Sequence, residues 1–161
     1  MVVSFQAASR AVTVTTNGVP ALHAAAGAEV VLVGCLRNAT AVAQAARDAA
    51  GEDGTIAVVC AGRTGNPGRF GIDDAYCAGV IVERLMGLGT CELSDAAEAA
   101  RLLALAEPDP LPLLRRSAAG RHIARLGLAV DVTYAAAVDQ SATVPRLGRD
   151  LFLMQGAGFQ V

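Results

Sequence analysis

The chain has 161 residues, a length that suits one domain with its own hydrophobic core. Its formal net charge is −2 and it contains no basic block, so a nucleic-acid-binding surface is not expected. All 13 basic residues are arginines. The absence of lysine excludes Walker-type phosphate binding and Schiff-base chemistry, because both require that side chain.

The sequence also shows no signal for a membrane or for export. No run approaches the roughly 18 apolar residues that a membrane-spanning helix requires, and the first residues lack the basic start and apolar run of a signal peptide. The cysteines show no CxxC spacing and are interpreted as reduced thiols: Cys35, Cys60, Cys77 and Cys91. These features predict a soluble cytoplasmic protein.

Three segments in the first half are predicted strands. Residues 11–16 contain alternating valine and threonine, whereas residues 29–34 and 55–61 are largely continuous apolar runs. A polar loop and a predicted helix follow each segment. The pattern predicts one α/β domain over residues 1–161, with a mostly parallel sheet and helices on both faces in a three-layer-like arrangement.

The predicted helices have local start and stop signals. In the first half they cover about residues 17–27, 39–50 and 73–85, and the third has a buried face formed by Cys77, Val80, Ile81 and Leu85.

In the second half, Ser94 is predicted to cap a helix over residues 95–106, and one further helix is predicted from about 112 to 126. Residues 129–132 fit either a helix or a strand. Because residues 144–161 are expected to form short extended pieces, the C-terminal part is predicted to be mixed α+β.

Candidate site residues follow the predicted strands, and open parallel sheets bind ligands beyond the carboxyl ends of their strands. Backbone N–H groups at a helix start can hold a phosphate or a carboxylate, but Asn17 and Asn38 fit equally well as helix caps. The candidates for binding an anionic substrate are Thr16, Asn17, Gly18, Asn38, Gly62 and Arg63.

Three other residues are candidates for catalysis or metal binding, and each also has a purely structural interpretation. Cys60 is a candidate nucleophile, although a buried cysteine usually behaves as a small apolar residue. Asp73 and Asp74 are candidate ligands of a divalent cation. The alternative for this pair is stabilisation of a helix start by negative charge.

Several phosphatase and cofactor motifs are absent. Asn66 stands six positions after Cys60, where a tyrosine-phosphatase loop requires arginine, and Thr133 stands where the Asp-x-Asp motif starting at Asp131 would need its second aspartate. There is no GxGxxG sequence and no Gly-x-Ser-x-Gly elbow. Only two histidines are present, so a zinc site is not expected.

Four motifs in order give the chain a family resemblance. They are Thr15-Thr16-Asn17-Gly18, the run from Asn38 to Ala43, Cys60-Ala61-Gly62, and Asp74 followed by Cys77-Ala78-Gly79. Together they resemble the 2-phosphosulfolactate phosphatases, which are Mg²⁺-dependent acid phosphatases of coenzyme M biosynthesis. The resemblance covers about residues 12–147.

The resemblance implies hydrolysis of a small anionic phosphate ester of a 2-hydroxy acid, with Mg²⁺ as the cofactor. It implies catalytic roles for Asp74 and Cys60 and metal binding by Asp73 and Asp74. The anion-binding candidates named above would position the substrate. The family carries an additional N-terminal segment with an Asp-Val-x-Arg-Ala-Thr type motif, so the chain is expected to correspond to the C-terminal majority of the family's chain.

An alternative hypothesis assigns no catalysis to the chain. A remnant of the phosphatase fold would then bind an anion or a partner chain, and an uncovered sheet edge or apolar face would favour a homo-oligomer. Neither hypothesis includes a nucleic-acid or membrane partner.

Overall fold

A computed structural model describes residue 15, residues 17–63 and 70–148, and the backbone of residues 154–156. Within these residues the chain forms seven α-helices, one 3₁₀ turn and two short strands. The helices are α1 (Gly18–Ala25), α2 (Ala39–Ala50), α3 (Ile72–Gly87), α4 (Asp95–Ala106), α5 (Pro110–Arg116), α6 (Ala118–Arg125) and α7 (Ala129–Ala136). The 3₁₀ turn covers Leu36–Asn38, and the strands are β1 (Pro145–Leu147) and β2 (Met154–Gly156).

Helix α3 is the centre of the hydrophobic core. It packs against α2 and α4 and also contacts α5, and its buried side chains include Tyr76 and Ile81. Gly79 allows α3 to approach α4 closely, because a Cβ atom at this position would lie 1.9 Å from the Ala100 carbonyl oxygen. This packing fixes the first turn of α3, where the two candidate metal ligands lie.

The predicted strands are only partly covered by the described residues. Residues 11–14 and 16 of the first lie outside them. In the second, Leu32 forms an antiparallel bridge with Arg146, and the Val33 N–H donates to the Pro145 carbonyl oxygen at 2.8 Å. Residues 55–61 are assigned no strand and make no backbone hydrogen bond to another described segment. The parallel sheet therefore stays a prediction.

The strands β1 and β2 pair antiparallel at the C-terminal end of the described chain. Pro145 lies opposite Gly156, and Leu147 lies opposite Met154. The Leu147 N–H also donates to the Val31 carbonyl oxygen at 2.9 Å. As a result, β1 lies between β2 and the extended residues 31–33.

The predicted helices over residues 39–50 and 95–106 are confirmed to the residue, and the Ser94 hydroxyl accepts a hydrogen bond from the Ala97 N–H at 3.3 Å. The predicted single helix over 112–126 is wrong. It divides at Ser117, which is extended and whose hydroxyl caps α6 through the Gly120 N–H at 2.9 Å. Residues 129–132, left open by the sequence, belong to α7.

Among the described residues, no helix combines the length and the apolar character that crossing a bilayer requires.

Candidate functional site

A cavity of about 750 Å³ lies between α1, α2, α3 and the two extended segments at residues 30–34 and 54–61. Its walls are mainly apolar, and Gly18, Cys60 and Asp74 also line it. These three residues come from three separate motifs of the sequence. An apolar wall is a poor place for a charged phosphate because burial of an uncompensated charge is unfavourable, so the polar margin at the start of α3 is the candidate site.

The first turn of α3 is joined to the end of the extended segment 54–61. Asp74 Oδ2 accepts a hydrogen bond from the Gly62 N–H at 2.8 Å. Gly62 has a φ of +71°, a conformation that glycine adopts without the steric cost that other residues pay. Two separately predicted site residues, Gly62 and Asp74, are therefore brought into direct contact.

The second carboxylate of this turn has an unusual environment. Asp73 Oδ1 is buried and has no hydrogen-bond partner in the part of the chain that the structure describes. An ideal Cβ atom built on Gly71 would lie 3.4 Å from Asp73 Oδ1 and 2.9 Å from Asp74 Oδ2. Both oxygens thus border one gap beside the Gly71 Cα, which we call the carboxylate gap.

The local electrostatics oppose negative charge at this point. Burial raises the pKa of Asp74 and the charge of Asp73 raises it further, while the Gly62 N–H acts in the opposite direction. A cation in the carboxylate gap would relieve this repulsion. The described residues contain no cluster of three or more metal-ligating side chains.

The thiols beside this turn are held in the neutral form. Cys60 is exposed at the cavity wall, and partial loss of hydration there, followed by repulsion from Asp74 and Asp73, raises the pKa of its thiol. Burial is also the main reason why the pKa of Cys77 is raised to about 12. Because the thiolate is the nucleophilic form, these surroundings favour Cys60 as part of the cavity wall over Cys60 as an attacking group.

Asn38 is buried and its amide is fully engaged as a donor. Nδ2 donates to the carbonyl oxygens of Val33 at 3.1 Å and Thr143 at 2.9 Å, and Oδ1 accepts from the Cys35 N–H at 2.8 Å. An amide has only two N–H donors. Asn38 therefore has no donor left for an anion in this arrangement, and it does not cap α2 through its side chain.

The other anion-binding candidates lie around the start of α1 and directly after Gly62. Asn17 precedes α1 without a side-chain cap, and the Thr15 hydroxyl takes that role by accepting from the Val19 N–H at 3.1 Å. Gly18 begins α1 and Arg63 is half-buried directly after Gly62. Thr16 lies outside the described residues, so its predicted role stays a prediction.

Sequence reasoning missed Gly71. A glycine two positions before a pair of acidic residues at a predicted helix start was the available signal, but the sequence does not reveal which atoms surround its Cα. Only the fold shows that the two carboxylate oxygens border this position.

Comparison with known proteins identifies the family. The model of the family described as 2-phosphosulpholactate phosphatase matches residues 5–150. The chain belongs to the 2-phosphosulfolactate phosphatase family. The resemblance stated from its motifs is thereby confirmed.

Named relatives agree with this assignment. A Thermus thermophilus protein named "Probable 2-phosphosulfolactate phosphatase" is 46% identical over 146 residues, which cover 89% of this chain and 60% of the relative. A Deinococcus radiodurans protein of the same name is 45% identical over 142 residues, covering 88% of this chain and 57% of the relative. A Methanothermobacter thermautotrophicus protein named "2-phosphosulfolactate phosphatase" is 37% identical over 114 residues, covering 71% of this chain and 46% of the relative. The chain thus matches about 60% or less of the length of these relatives.

Proposed function

We propose that the chain carries the site of a Mg²⁺-dependent phosphatase that hydrolyses a phosphate ester of a small 2-hydroxy acid such as 2-phosphosulfolactate. Family membership supports the reaction class. The observation that carries the proposal is the carboxylate gap, where Asp73 Oδ1 and Asp74 Oδ2 approach one point beside the Gly71 Cα. The family resemblance further suggests a cytoplasmic enzyme of coenzyme M biosynthesis.

The chemistry of the donor set fits the metal. Mg²⁺ prefers carboxylate oxygens, and the buried Asp73 Oδ1 has no hydrogen bond to lose within the described chain. In the proposal Asp73 and Asp74 hold the ion. Once bound, Mg²⁺ would neutralise charge on the phosphoryl oxygens and help to orient the attacking group.

Backbone donors would bind the anionic parts of the substrate. The first hydrogen bond of α3 runs from the Ala75 N–H to the Gly71 carbonyl oxygen at 3.0 Å, so the N–H groups of the preceding turn have no partner within the helix. Such groups and the helix dipole attract anions. The Gly62 N–H already donates to Asp74 Oδ2, so it holds this carboxylate in place and is not a free donor for the substrate. Net transfer of the phosphoryl group to water would release the hydroxy acid and inorganic phosphate.

The test is phosphate release by the purified 161-residue chain. The substrates are 2-phosphosulfolactate and 2-phospholactate, with Mg²⁺ and then with a chelator. We expect turnover that the chelator abolishes and that Asp74→Asn abolishes, with an unchanged circular dichroism spectrum. Asp95→Asn is the matched control, because Asp95 is exposed in the first turn of another helix, α4.

Two outcomes contradict the proposal. Turnover retained by Asp74→Asn would remove Asp74 from the site. Binding of a 2-phospho acid by a folded chain without any phosphate release would instead favour the alternative of a non-catalytic anion-binding protein.

A further inference from the structure

Gly71 lies directly before α3 and is buried, although it carries no side chain of its own. We propose that Gly71 is a positioning residue of the metal site, whose missing Cβ atom keeps the carboxylate gap open for a divalent cation. The inference rests on the proposed function, since that function supplies the reason for a cation at this place. It adds a residue that neither the motifs nor the family resemblance singled out.

The backbone conformation does not explain the glycine. Gly71 has φ −108° and ψ 116°, which is ordinary extended backbone open to every residue. Gly62, by contrast, has a positive φ. An alanine at position 71 therefore introduces no backbone strain, and its effect comes from the space that the methyl group fills.

That space is bordered by the two carboxylates. A Cβ atom on residue 71 would lie 2.9 Å from Asp74 Oδ2 and 3.4 Å from Asp73 Oδ1. The first distance is shorter than a carbon–oxygen contact allows, so the Asp74 carboxylate has to rotate. Rotation draws Oδ2 away from the Gly62 N–H, which now donates to it at 2.8 Å.

The cost of the methyl group would fall on the site and not on the fold. The displaced atom is the end of a side chain, which moves more easily than backbone. At Gly79, within the same helix, a Cβ atom would instead meet backbone, because it would lie 1.9 Å from the Ala100 carbonyl oxygen. Gly71→Ala should therefore separate metal binding from stability.

The experiment measures binding of Mn²⁺, a paramagnetic substitute for Mg²⁺, by electron paramagnetic resonance titration of the full chain. We expect Gly71→Ala to weaken Mn²⁺ affinity by at least about tenfold, the usual effect of losing a group that orients metal ligands. Its circular dichroism spectrum and thermal midpoint should stay close to those of the unmodified chain. Gly87→Ala is the control, since a Cβ atom there meets nothing within 4 Å.

The outcomes separate this inference from the proposed function. Unchanged Mn²⁺ affinity in Gly71→Ala overturns the inference, even if phosphatase activity is found. Loss of affinity in Gly71→Ala supports it, even if the chain releases no phosphate. Should Gly71→Ala fail to fold, Asp73→Asn tests the same gap, because unchanged affinity in that variant would also overturn the shared site.

Discussion

The described chain contains two regions that differ in how completely they are packed. In the helical region formed by α3 to α7, Leu113 is fully buried and Tyr76 is 2% exposed. In the cavity region formed by α1 and residues 29–34 and 54–63, Val59 is 61% exposed and α1 contains no buried residue. The stability of the described structure therefore resides mainly in the helical region.

Helix α3 belongs to the helical region but also borders the cavity. Its middle and C-terminal turns carry core residues such as Ile81 and Leu85, whereas Asp74 in its first turn lines the cavity. A site held on a rigid element keeps its groups in place more accurately than a site formed by loops alone. The helical region therefore holds the carboxylates of the candidate site in position, and the cavity region provides the open space beside them.

The largest expected contrast between the regions comes from truncating one apolar side chain in each. Leu113→Ala should lower the free energy of unfolding by about 2–5 kcal/mol, because it leaves a cavity in a closed core. Val59→Ala should change it by no more than about 0.5 kcal/mol, since the side chain is mostly exposed. Urea denaturation of both variants measures the difference, and comparable losses would contradict the division into two regions.

A second contrast concerns the link between the cavity region and the segment that follows α7. The Asn38 amide joins the extended segment at Val33 to the C-terminal segment at Thr143. Asn38→Ala leaves the half-buried carbonyl groups of Val33 and Thr143 without these partners and should lower the free energy of unfolding by about 1–3 kcal/mol.

Asn17→Ala is the matched control, because the Asn17 side chain makes no capping hydrogen bond. We expect almost no change in that variant. An equal effect of the two substitutions in urea denaturation would show that the Asn38 amide does not hold the cavity region to the segment after α7.

Local signals explain what the sequence could predict. Helix α2 ends before Gly51, and helix α4 begins after Ser94. Both residues bond to atoms that are close to them in the sequence, so both helices were predicted to the residue. The break at Ser117 was missed although its signal is also local, because the Ser117 hydroxyl caps α6 through the Gly120 N–H. Close packing accompanies this break, since a Cβ atom on Gly120 would lie 1.9 Å from the Leu114 carbonyl oxygen. A strand depends on hydrogen-bond partners that are far away in the sequence. For this reason residues 55–61 could be recognised as an apolar run, but their partners in a sheet could not be predicted.

The same distinction applies to the site. Motif order identified Gly62 and Asp74, and the structure adds the hydrogen bond between them. The role of the Asn38 side chain could not be predicted, because its partners include Thr143, which is 105 positions away. For Gly71 the sequence shows only a glycine, whereas its proposed importance lies in atoms that folding brings around it.

The smallest expected effect is on the pH dependence of stability, to which two aspartates contribute with opposite sign. Burial and the charge of Asp73 raise the pKa of Asp74, so its ionised form costs stability at neutral pH. Burial acts in the same direction on Asp139, but hydrogen bonds from Thr40 and Arg84 outweigh it and lower the pKa of this carboxyl. Asp139 has a φ of +54°, a conformation that asparagine tolerates, which makes Asp139→Asn a suitable partner for Asp74→Asn.

The two groups should shift stability in opposite directions with pH. The contribution of Asp139 is present above its ordinary pKa and is lost as the pH falls through its lower folded value. The cost of Asp74 appears as the pH rises from its ordinary pKa through its higher folded value. At pH 7 Asp74→Asn should therefore be more stable than the unmodified chain and Asp139→Asn less stable, and both differences should diminish in acid. Urea denaturation between pH 3 and 7 without divalent cations measures this, and a stability loss in Asp74→Asn at pH 7 would show that the ionised carboxylate is already compensated in the cation-free chain.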